Sequence, residues 1–424
     1  MNINYNFILS KSILIFLVGI TLTYSLYHTL ELIDVKIYAY NELFINYEAG
    51  FVRRGLLGQI FFFFYKYINI SPRIFFGLVF SFLYLIQIIL FFKVMEKFLR
   101  YNNLLIIFSL SPIFLLFNIY DPNIFFVKDI FIKISILLHA LIFIHFSNKK
   151  NYEQYIIYLK YCIVPFLIFV MLIHEYQIFF VGFHLLISLG VCKKKHDLYY
   201  ILKIYSVLLI PFILLLLFIG TETQYNELNK ILSQFNVSVH PQLKGGLYTA
   251  IGGFYKWHFF YFNYDQFIKL FFSLLLGIFV YLAFFNILKQ RKIIYNNSTY
   301  QNNYFFLMSP SILIFILAHI DHGRNISLIA TNLIIFFTTL NINNKKLSKL
   351  IQNLNNNLFT KYSLFIFIFF YIFLWKLDQY AGYSMRNENN TIFQSSLFAE
   401  FVKLIKFIYN YIDINLLDLP EIRL

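Results

Sequence analysis

The sequence is short of charge and of cysteine. Only 13% of its 424 residues are charged and 60% are hydrophobic, whereas a soluble domain has roughly 25% charged residues. A core of this apolarity could not be covered with polar surface, so the composition excludes an ordinary soluble enzyme and also a disordered chain. Two cysteines, Cys162 and Cys192, are too few for a disulfide-stapled secreted module. The composition therefore predicts a protein whose solvent is the lipid bilayer.

The net formal charge of +15 is the second unusual feature. A charge of this size is typical of nucleic-acid-binding proteins when the basic residues share one surface. In a membrane protein they lie instead in short loops between apolar runs, where they set the orientation of the helices. The wealth of Lys and Asn, with only 15 Gly and 8 Pro, is typical of an AT-rich bacterial genome. We therefore expect a bacterial membrane protein and no nucleic-acid partner.

Apolar runs of nearly membrane-spanning length recur along the chain. A spanning helix needs about 20 mostly apolar residues, and no small-residue cleavage site follows the first run, so we expect it to be retained. The runs predict an all-α polytopic membrane protein with about 11 transmembrane helices. They lie at about 7–27, 73–92, 103–119, 124–146, 155–173, 176–191, 199–220, 267–289, 304–320, 325–341 and 360–377.

Five short basic loops predict the orientation of these helices. If all five are cytoplasmic, the helices between them pair off two by two, with the N-terminus inside and the C-terminus outside. This scheme requires that the 15-residue apolar stretch 56–70 does not cross the membrane, so we expect a re-entrant or interfacial segment there. The basic residues are Lys93, Lys97 and Arg100; Lys149 and Lys150; Lys193, Lys194 and Lys195; Lys289, Arg291 and Lys292; Lys345, Lys346 and Lys349.

This topology defines the predicted domains. Residues 1–391 form a single transmembrane domain with two long outer loops, 28–72 and 221–262. Residues 392–424 form an outer-surface tail, because apolar residues at helical spacing with interleaved charges in 392–412 indicate an amphipathic helix. The polar motifs fall on the outer side and the Lys-rich connectors on the inner side, so we expect the chemistry on the outer face.

The first candidate motif is the stretch 47–58, which contains Arg53 and Arg54 between glycines and just before the 56–70 segment. Arginine forks and helix N-termini both favour phosphate oxygens. The functional interpretation is a site for a lipid-linked phosphate or diphosphate. The alternative is two arginines that reach toward lipid headgroups, as in any membrane protein.

The second motif is a predicted outer turn between two apolar runs, with His319, Asp321, His322 and Arg324 within six positions. A polar turn needs only a glycine and an asparagine or aspartate. Asp321 is a candidate base, His322 a further catalytic candidate, and Arg324 a candidate phosphate ligand. The alternative is a hydrated turn with a local ion pair between Asp321 and Arg324. The spacing matches no standard metal site, and we predict neither a metal nor a cofactor.

The third motif is His174-Glu175 between two apolar runs. A glutamate near the membrane is costly unless it is paired or functional. Burial would raise the pKa of Glu175 and suit it to act as a general acid or base beside His174. A water-exposed hairpin turn is the alternative, and a zinc HExxH motif is excluded because position 178 is Ile.

Weaker signals come from two other regions. Asp129 and Lys133 are four residues apart in an apolar run and can pair on one helix face. In the loop 221–262, Lys244 is a candidate phosphate ligand among tyrosines and glycines, which suit sugar rings but also suit a bilayer interface. Asp121-Pro122-Asn123 is most simply a turn between helices.

Together these motifs resemble a known group of proteins. Many spanning helices, GFVRRGLLG at 50–58, a His-Glu pair in mid-chain and a late D-x-G-R turn are similar to bacterial O-antigen (Wzy-type) repeat-unit polymerases and GT-C-like glycosyltransferases. The resemblance implies an enzyme that transfers a growing glycan between undecaprenyl-diphosphate carriers at the outer face of the inner membrane. It implies that Arg53, Arg54 and Arg324 bind phosphate. The loop 221–262 is less basic than the large outer loop of many polymerases.

Two alternatives stay open. A GT-C-type glycosyltransferase with a polyprenyl-phosphate sugar donor requires an acid in the first outer loop, where Asp34, Glu42 and Glu48 are available. A flippase or transporter would place ionisable residues near the bilayer midplane. The expected partners are polyprenyl-phosphate-linked glycans and membrane lipid, with other polysaccharide-assembly proteins as further candidates.

Overall fold

The computed structural model describes part of the chain. The described residues are 5–31, 38–95, 109–120, 122–149, 151–190, 195–240, 243, 310–311, 322–341, 404–406 and 408. All regular secondary structure within these ranges is helical. The all-α class is therefore confirmed for this part of the protein.

The helices are numbered in chain order. The first seven are α1 (Tyr5–Glu31), α2 (Tyr38–Glu42), α3 (Leu56–Ile68), α4 (Pro72–Met95), α5 (Phe117–Tyr120), α6 (Pro122–Phe125) and α7 (Asp129–Lys149). The remainder are α8 (Tyr152–Tyr158), α9 (Val164–Ile173), α10 (Gln177–Leu189), α11 (Lys195–Ser206), α12 (Leu209–Leu217), α13 (Glu222–Gln234) and α14 (His322–Asn341). One turn of π-helix, Leu159–Ile163, joins α8 to α9 without a break.

Among the described residues, five helical segments are long and apolar enough to cross a membrane. They correspond to five of the predicted runs, and a bilayer stabilises them because every backbone hydrogen bond is made inside the helix. The count of about 11 spans stays a prediction, since the runs 267–289 and 360–377 lie outside the described residues. The five segments are Lys11–Leu30, Pro72–Met95, Asp129–Ser147, Tyr152–Ile173 and His196–Leu217.

One predicted span is wrong in its described part, and another begins later than predicted. The run 103–119 is not a continuous helix, because residues 111–116 form turns before α5 begins. Pro112 has no backbone N–H to donate, and the Ser111 hydroxyl accepts the N–H of Ile113 at 3.3 Å instead. The run 124–146 is interrupted at 126–128, so that its long helix begins only at Asp129. Of the turn predicted at Asp121-Pro122-Asn123, Pro122 and Asn123 belong to the short helix α6, and Asp121 lies outside the described residues.

The segment predicted to lie at the interface is a short helix. With 13 residues, α3 is about 20 Å long at 1.5 Å per residue, less than the roughly 30 Å hydrocarbon core. Gly58 lets α3 approach the preceding loop, because a Cβ there would lie 2.0 Å from the carbonyl oxygen of Ile45. Asn69 ends the helix in the left-handed conformation, with φ of 51°.

The predicted loop 221–262 begins with the helix α13. Its start is a capping box, in which the Thr221 hydroxyl accepts the N–H of Gln224 and the Gln224 side chain accepts the N–H of Thr221. The same amide donates to the carbonyl oxygens of Gly50 and Phe51. These bonds attach α13 to the loop that carries the two arginines.

The central helix of the described bundle is α7. It packs against α4, α10 and α14, and α4 packs in turn against α1. The first residue of α7 is Asp129, and α10 and α14 also begin close to charged residues, Glu175 and Arg324. The starts of these three helices and the loop before α3 therefore bring charged side chains together.

Candidate functional site

Five of the predicted site residues meet in one buried group, although they come from three distant parts of the sequence. Arg53 and Arg54 precede α3, His174 and Glu175 lie between α9 and α10, and Arg324 is in the first turn of α14. Three residues of the first loop and of the start of α7 complete the group, which we call the charged cluster. Its members are Glu42, Arg53, Arg54, Lys128, Asp129, His174, Glu175 and Arg324.

Arg54 is the centre of one half of the cluster. Its Nε donates to both carboxylate oxygens of Glu175 at 2.8 and 2.7 Å, and its Nη2 also contacts that carboxylate. Its Nη1 donates to Glu42. A planar guanidinium suits this arrangement because its donors form a fixed fork. Arg54 thereby joins two carboxylates from loops that are far apart in the sequence.

The backbone that presents Arg54 adopts an unusual conformation. Arg54 has φ of +63°, a left-handed conformation that few residues other than glycine adopt. Gly55 follows, and a Cβ there would lie 2.4 Å from the ring of Tyr47. The N–H of Arg53 donates to the carbonyl oxygen of Phe218 at 3.1 Å, and its Nη1 lies 3.6 Å from Glu175. These contacts hold the turn at Arg53 and Arg54 in its strained conformation, and strained backbone conformations are often found at functional sites.

The second half of the cluster is formed by Asp129, His174 and Arg324. Arg324 donates from Nε to Asp129 Oδ2 at 2.5 Å and from Nη2 to Oδ1 at 2.8 Å. This bidentate pair is almost fully desolvated, since the Asp129 side chain is 1% exposed. His174 Nε2 lies 3.1 Å from Asp129 Oδ1 and 2.6 Å from Arg324 Nη2.

The contacts of His174 restrict its protonation. Arginine has no acceptor atom, so the neutral ring accepts from Arg324 through Nε2 and carries its proton on Nδ1. That nitrogen lies 3.7 Å from Glu175 Oε2. A second proton on Nε2 would face Asp129, as in a carboxylate–imidazole pair. The ring therefore lies between the carboxylates of Asp129 and Glu175.

Lys128 and Tyr176 connect the two halves. Lys128 Nζ donates to the carbonyl oxygens of Glu42 and Arg54, each at 3.1 Å. The Tyr176 ring lies 5.9 Å from the guanidinium carbon of Arg54 and 5.2 Å from that of Arg324. These distances are within reach of cation–π attraction. The two arginine centres are therefore neighbours across one aromatic ring.

The charges of the cluster do not cancel. Arg53, Arg54, Lys128 and Arg324 supply four potential positive charges, and Glu42, Asp129 and Glu175 supply three negative ones. With Lys128 protonated, and leaving His174 out of the count, the sum is +1. A site with excess positive charge favours an anionic ligand.

The carboxylates of the cluster are ionised. Burial alone would raise the pKa of Glu42, but the guanidinium of Arg54 and the ammonium of Lys128 outweigh it and lower the pKa to about 2. Burial also opposes ionisation of Glu175, but the arginines and His174 hold its pKa well below the usual value. The prediction of a raised pKa for Glu175 is therefore wrong. A carboxylate that stays ionised is an orienting and electrostatic group rather than a proton donor.

Burial has the larger effect on Lys128. It lowers the pKa of this residue to about 8, although Glu42 acts in the opposite direction. A lysine with this pKa exchanges its proton more readily than an exposed one.

The structure also bears on the other residues that were predicted for the site. Arg324 lies in the first turn of α14 rather than in a hairpin turn, and it pairs with Asp129. The local pair with Asp321 stays a prediction, because Asp321 lies outside the described residues. The expected pair between Asp129 and Lys133 is wrong, because Lys133 Nζ donates to Ser327 Oγ at 2.9 Å and to Asn118. His322 is the first residue of α14. Asp321 and Lys244 lie outside the described residues.

Sequence reasoning missed the roles of Glu42, Lys128 and Asp129. From the sequence, Glu42 was linked only to the GT-C alternative and Asp129 only to a pair with Lys133, and Lys128 lies beside Asp129 in the same apolar run. The signal that could have found them is the cost of an ionisable residue in an apolar segment, which makes such a residue a candidate for a function or for a buried partner.

Within the ranges that the structure describes, no group of three or more His, Cys, Asp or Glu side chains could hold a metal ion. The carboxylates of the cluster are used by arginines instead. Comparison with protein-family models, with curated proteins and with solved structures found no match for this chain.

Proposed function

We propose that the charged cluster binds the phosphate or diphosphate of a polyprenyl-linked glycan. The protein then transfers glycan between such intermediates at the outer face of the bacterial inner membrane, in repeat-unit polymerisation of O-antigen or capsule. The observation that carries this proposal is the meeting of Arg53, Arg54 and Arg324, from two distant parts of the chain, around Glu175 and Tyr176.

The arginines can exchange partners. Glu42 and Glu175 neutralise Arg54 without a ligand, and the side chains of Arg54 and Glu175 each remain 12% exposed. A phosphate oxygen that arrives from the exposed edge competes with these carboxylates for the same fork of donors. The excess charge of the cluster then acts on the diphosphate that leaves as the bond to the anomeric carbon breaks.

His174 is the proposed base in this reaction. An acceptor hydroxyl must lose a proton as it attacks. His174 can take it on Nε2 once the Arg324 N–H that this nitrogen accepts at 2.6 Å turns to the incoming phosphate, and the new N–H then faces Asp129 at 3.1 Å. Asp129 then stabilises the imidazolium, as carboxylates do in other histidine-based sites. Glu175 orients the two arginines. Asp321, His322 and Lys244 keep their predicted roles as further catalytic or phosphate-binding groups.

Deletion of the gene and gel analysis of surface glycans test the proposal. Loss of all chains beyond one repeat indicates a polymerase, and unchanged glycans refute glycan transfer. Complementation with Arg53→Ala or Arg324→Ala should fail to restore long chains, while the protein stays inserted in the membrane. Lys66→Ala is the matched control, because Lys66 pairs only loosely with Glu48 at 3.5 Å and is 64% exposed. A normal ladder from both arginine variants would refute the site.

The predicted orientation has its own test. We expect the N-terminus in the cytoplasm and the cluster on the periplasmic side. A single cysteine at position 322, in a variant that lacks Cys162 and Cys192, should react with an impermeant thiol reagent in intact spheroplasts. Reaction only after permeabilisation would contradict this topology.

A GT-C-type glycosyltransferase is the second candidate, and Glu42 favours it. This acid of the first predicted outer loop contacts Arg54 within the cluster, whereas Glu48 pairs with Lys66 at the surface. In a GT-C-type enzyme Glu42→Gln would leave a truncated repeat unit on the gel. In a polymerase the same variant would give complete single repeats.

A further inference from the structure

A second polar group lies deeper in the bundle and has no role in the proposed glycan transfer. It is a continuous line of hydrogen-bonding side chains on four helices, α7, α8, α10 and α11, which we call the polar chain. All its members are buried. In order, they are Gln177, Ser135, His184, His139, Tyr155, Ser188 and Tyr205.

Two histidines form the middle of the polar chain. Nδ1 of His139 lies 3.0 Å from Nδ1 of His184, and the two rings are nearly parallel, with an interplanar angle of 7°. The other nitrogen of His184, Nε2, lies 3.3 Å from the hydroxyl of Ser135. That hydroxyl also lies 3.2 Å from Oε1 of Gln177. Each imidazole therefore uses its two nitrogens toward opposite directions of the chain.

Hydroxyl groups continue the chain beyond His139. Nε2 of His139 lies 2.9 Å from the hydroxyl of Tyr155, which lies 2.9 Å from the hydroxyl of Ser188. Ser188 lies 3.0 Å from the hydroxyl of Tyr205. Every link is within hydrogen-bond distance.

The links can be satisfied in two opposite senses. In one sense the proton between the rings is on His139, His184 donates through Nε2 to Ser135, and each hydroxyl from Tyr205 onward donates toward His139. In the other sense His184 holds the shared proton, Ser135 donates to it, and each hydroxyl donates toward Tyr205. Hydroxyls and imidazoles each have a donor and an acceptor, so both senses satisfy every link from Ser135 to Tyr205. The Ser135 hydroxyl donates to the Gln177 oxygen only in the first sense, because an amide oxygen only accepts.

The polar chain crosses much of the bundle. Gln177 is the first residue of α10 and Ser188 is near its end, 11 positions later, so this helix alone carries the chain over about 16 Å. Tyr155 is near the start of α8, at the end of the Tyr152–Ile173 segment that is opposite to His174. The N–H of Gln177 donates to the carbonyl oxygen of His174 at 3.2 Å. One end of the chain is thus adjacent to the charged cluster and the other is in the opposite half of the bundle.

We propose that the polar chain conducts protons between these two ends. A proton that arrives on the oxygen of Tyr205 displaces the hydroxyl proton toward Ser188. Each later member gains one proton and releases one, and each imidazole gains at one nitrogen and loses at the other. The final proton leaves the Ser135 hydroxyl beside the Gln177 amide oxygen and is taken up by water at the end of the bundle that holds the cluster. No member keeps a net charge, and the passage reverses the sense of every link between Ser135 and Tyr205.

The chemistry of the chain favours proton transfer over simple helix packing. Hydrogen bonds between membrane helices stabilise them only modestly, and Ser or Thr bonded to its own helix suffices for many. Here two imidazoles and four hydroxyls are linked in series, and buried chains that include histidine serve as proton relays in pumps and transporters. The nearby Lys133 takes no part, because it is bonded to Asn118 and Ser327. This proposal is independent of glycan transfer.

Proton flux into liposomes tests the proposal. The purified full chain is reconstituted in vesicles of phosphatidylethanolamine and phosphatidylglycerol that contain the pH dye pyranine, and a potassium gradient with valinomycin drives proton entry. Wild-type vesicles should acidify faster than protein-free ones. Tyr155→Phe removes one hydroxyl and keeps the ring, so it should slow the flux about fivefold, the factor that corresponds to one lost hydrogen bond of about 1 kcal/mol.

Tyr158→Phe is the matched control. Tyr158 is on the same helix, is 44% exposed and is not a member of the polar chain, so this variant should keep the wild-type flux. Wild-type flux no greater than that of protein-free vesicles would overturn the proposal. So would equal flux for Tyr155→Phe and the wild type, when both elute as folded protein on size exclusion.

Nitrogen NMR of the histidine rings is a second measurement, which does not require flux. In protein labelled with ¹⁵N-histidine, the signals of His139 and His184 are assigned from the His139→Asn and His184→Asn variants. Exchange between the two tautomers in the wild type supports the relay. One fixed tautomer for each ring across the accessible temperature range would overturn it.

Discussion

The bidentate pair between Asp129 and Arg324 leads to the strongest stability prediction. Asp129→Asn keeps the shape of the side chain and removes its charge, so the guanidinium of Arg324 loses the carboxylate to which it donates at 2.5 and 2.8 Å. Removal of one partner of a buried pair costs about 3–5 kcal/mol, because the other charge stays buried without compensation. The start of α7 also loses an acid that is favourable near a helix N-terminus, worth about 0.3–1 kcal/mol.

The double variant Asp129→Asn with Arg324→Met separates the pair from its surroundings. With both charges removed, neither is left uncompensated, so we expect the double variant to lose clearly less stability than the sum of the two single variants. The free energy of unfolding is measured by SDS titration in mixed micelles, with circular dichroism reporting the loss of helix. A coupling of about 2 kcal/mol or more is expected, within the range for residues in direct contact.

An exposed pair provides the control for this cycle. Lys66 and Glu48 lie 3.5 Å apart with side chains 64% and 33% exposed, and such pairs contribute about 0–1 kcal/mol. The same cycle at these positions should show little coupling. If the free energies of the buried single variants simply add, or if each costs as little as the exposed ones, Asp129 and Arg324 are not a desolvated pair and the charged cluster is wrong.

Three further perturbations address the loops around the site. Gly58→Ala should prevent correct folding, because the added Cβ would lie 2.0 Å from the backbone oxygen of Ile45. Gly19→Ala is the control and should be tolerated, because nothing lies within 4 Å of a Cβ at that position. The yields of monodisperse protein after detergent extraction compare the two variants. Thr221→Ala removes the hydroxyl of the capping box and should cost about 1 kcal/mol by the same SDS titration, with an unchanged midpoint arguing against the cap. The pKa of Glu42 is lowered from 4.5 to about 2, so its contribution to stability is complete above pH 4.5 and is lost as the pH falls toward 2. The melting temperature of the wild type should therefore drop over that pH range. An equally steep drop for Glu42→Gln would assign the effect to other groups.

Several features of the fold could be predicted from the sequence because their causes are local. Apolarity over about 20 residues is enough to indicate a spanning helix, and the five long apolar helices follow the predicted runs. The short length of 56–70 likewise predicted the short helix α3. The break at Pro112 was missed, because the apolar content of a run hides a backbone that cannot continue as a helix.

The candidate site could be predicted only in part. Arg53, Arg54, His174, Glu175 and Arg324 were selected from the sequence because charge near an apolar run is costly. Their partners could not be selected in that way. Local spacing suggested pairs within one turn or one helix, but the actual partners are 121 and 195 positions apart.

The sequence by itself determined that this is a helical protein with apolar, membrane-length segments and that a few charged residues interrupt them. Only the tertiary structure decided which charges meet, and with them the ionisation of Glu175, whose pKa is lowered by the arginines rather than raised by burial. The physical reason is that burial and proximity oppose each other at a carboxylate. Burial can be estimated from the apolar residues along the chain, whereas the proximity of an opposite charge depends on how the helices pack.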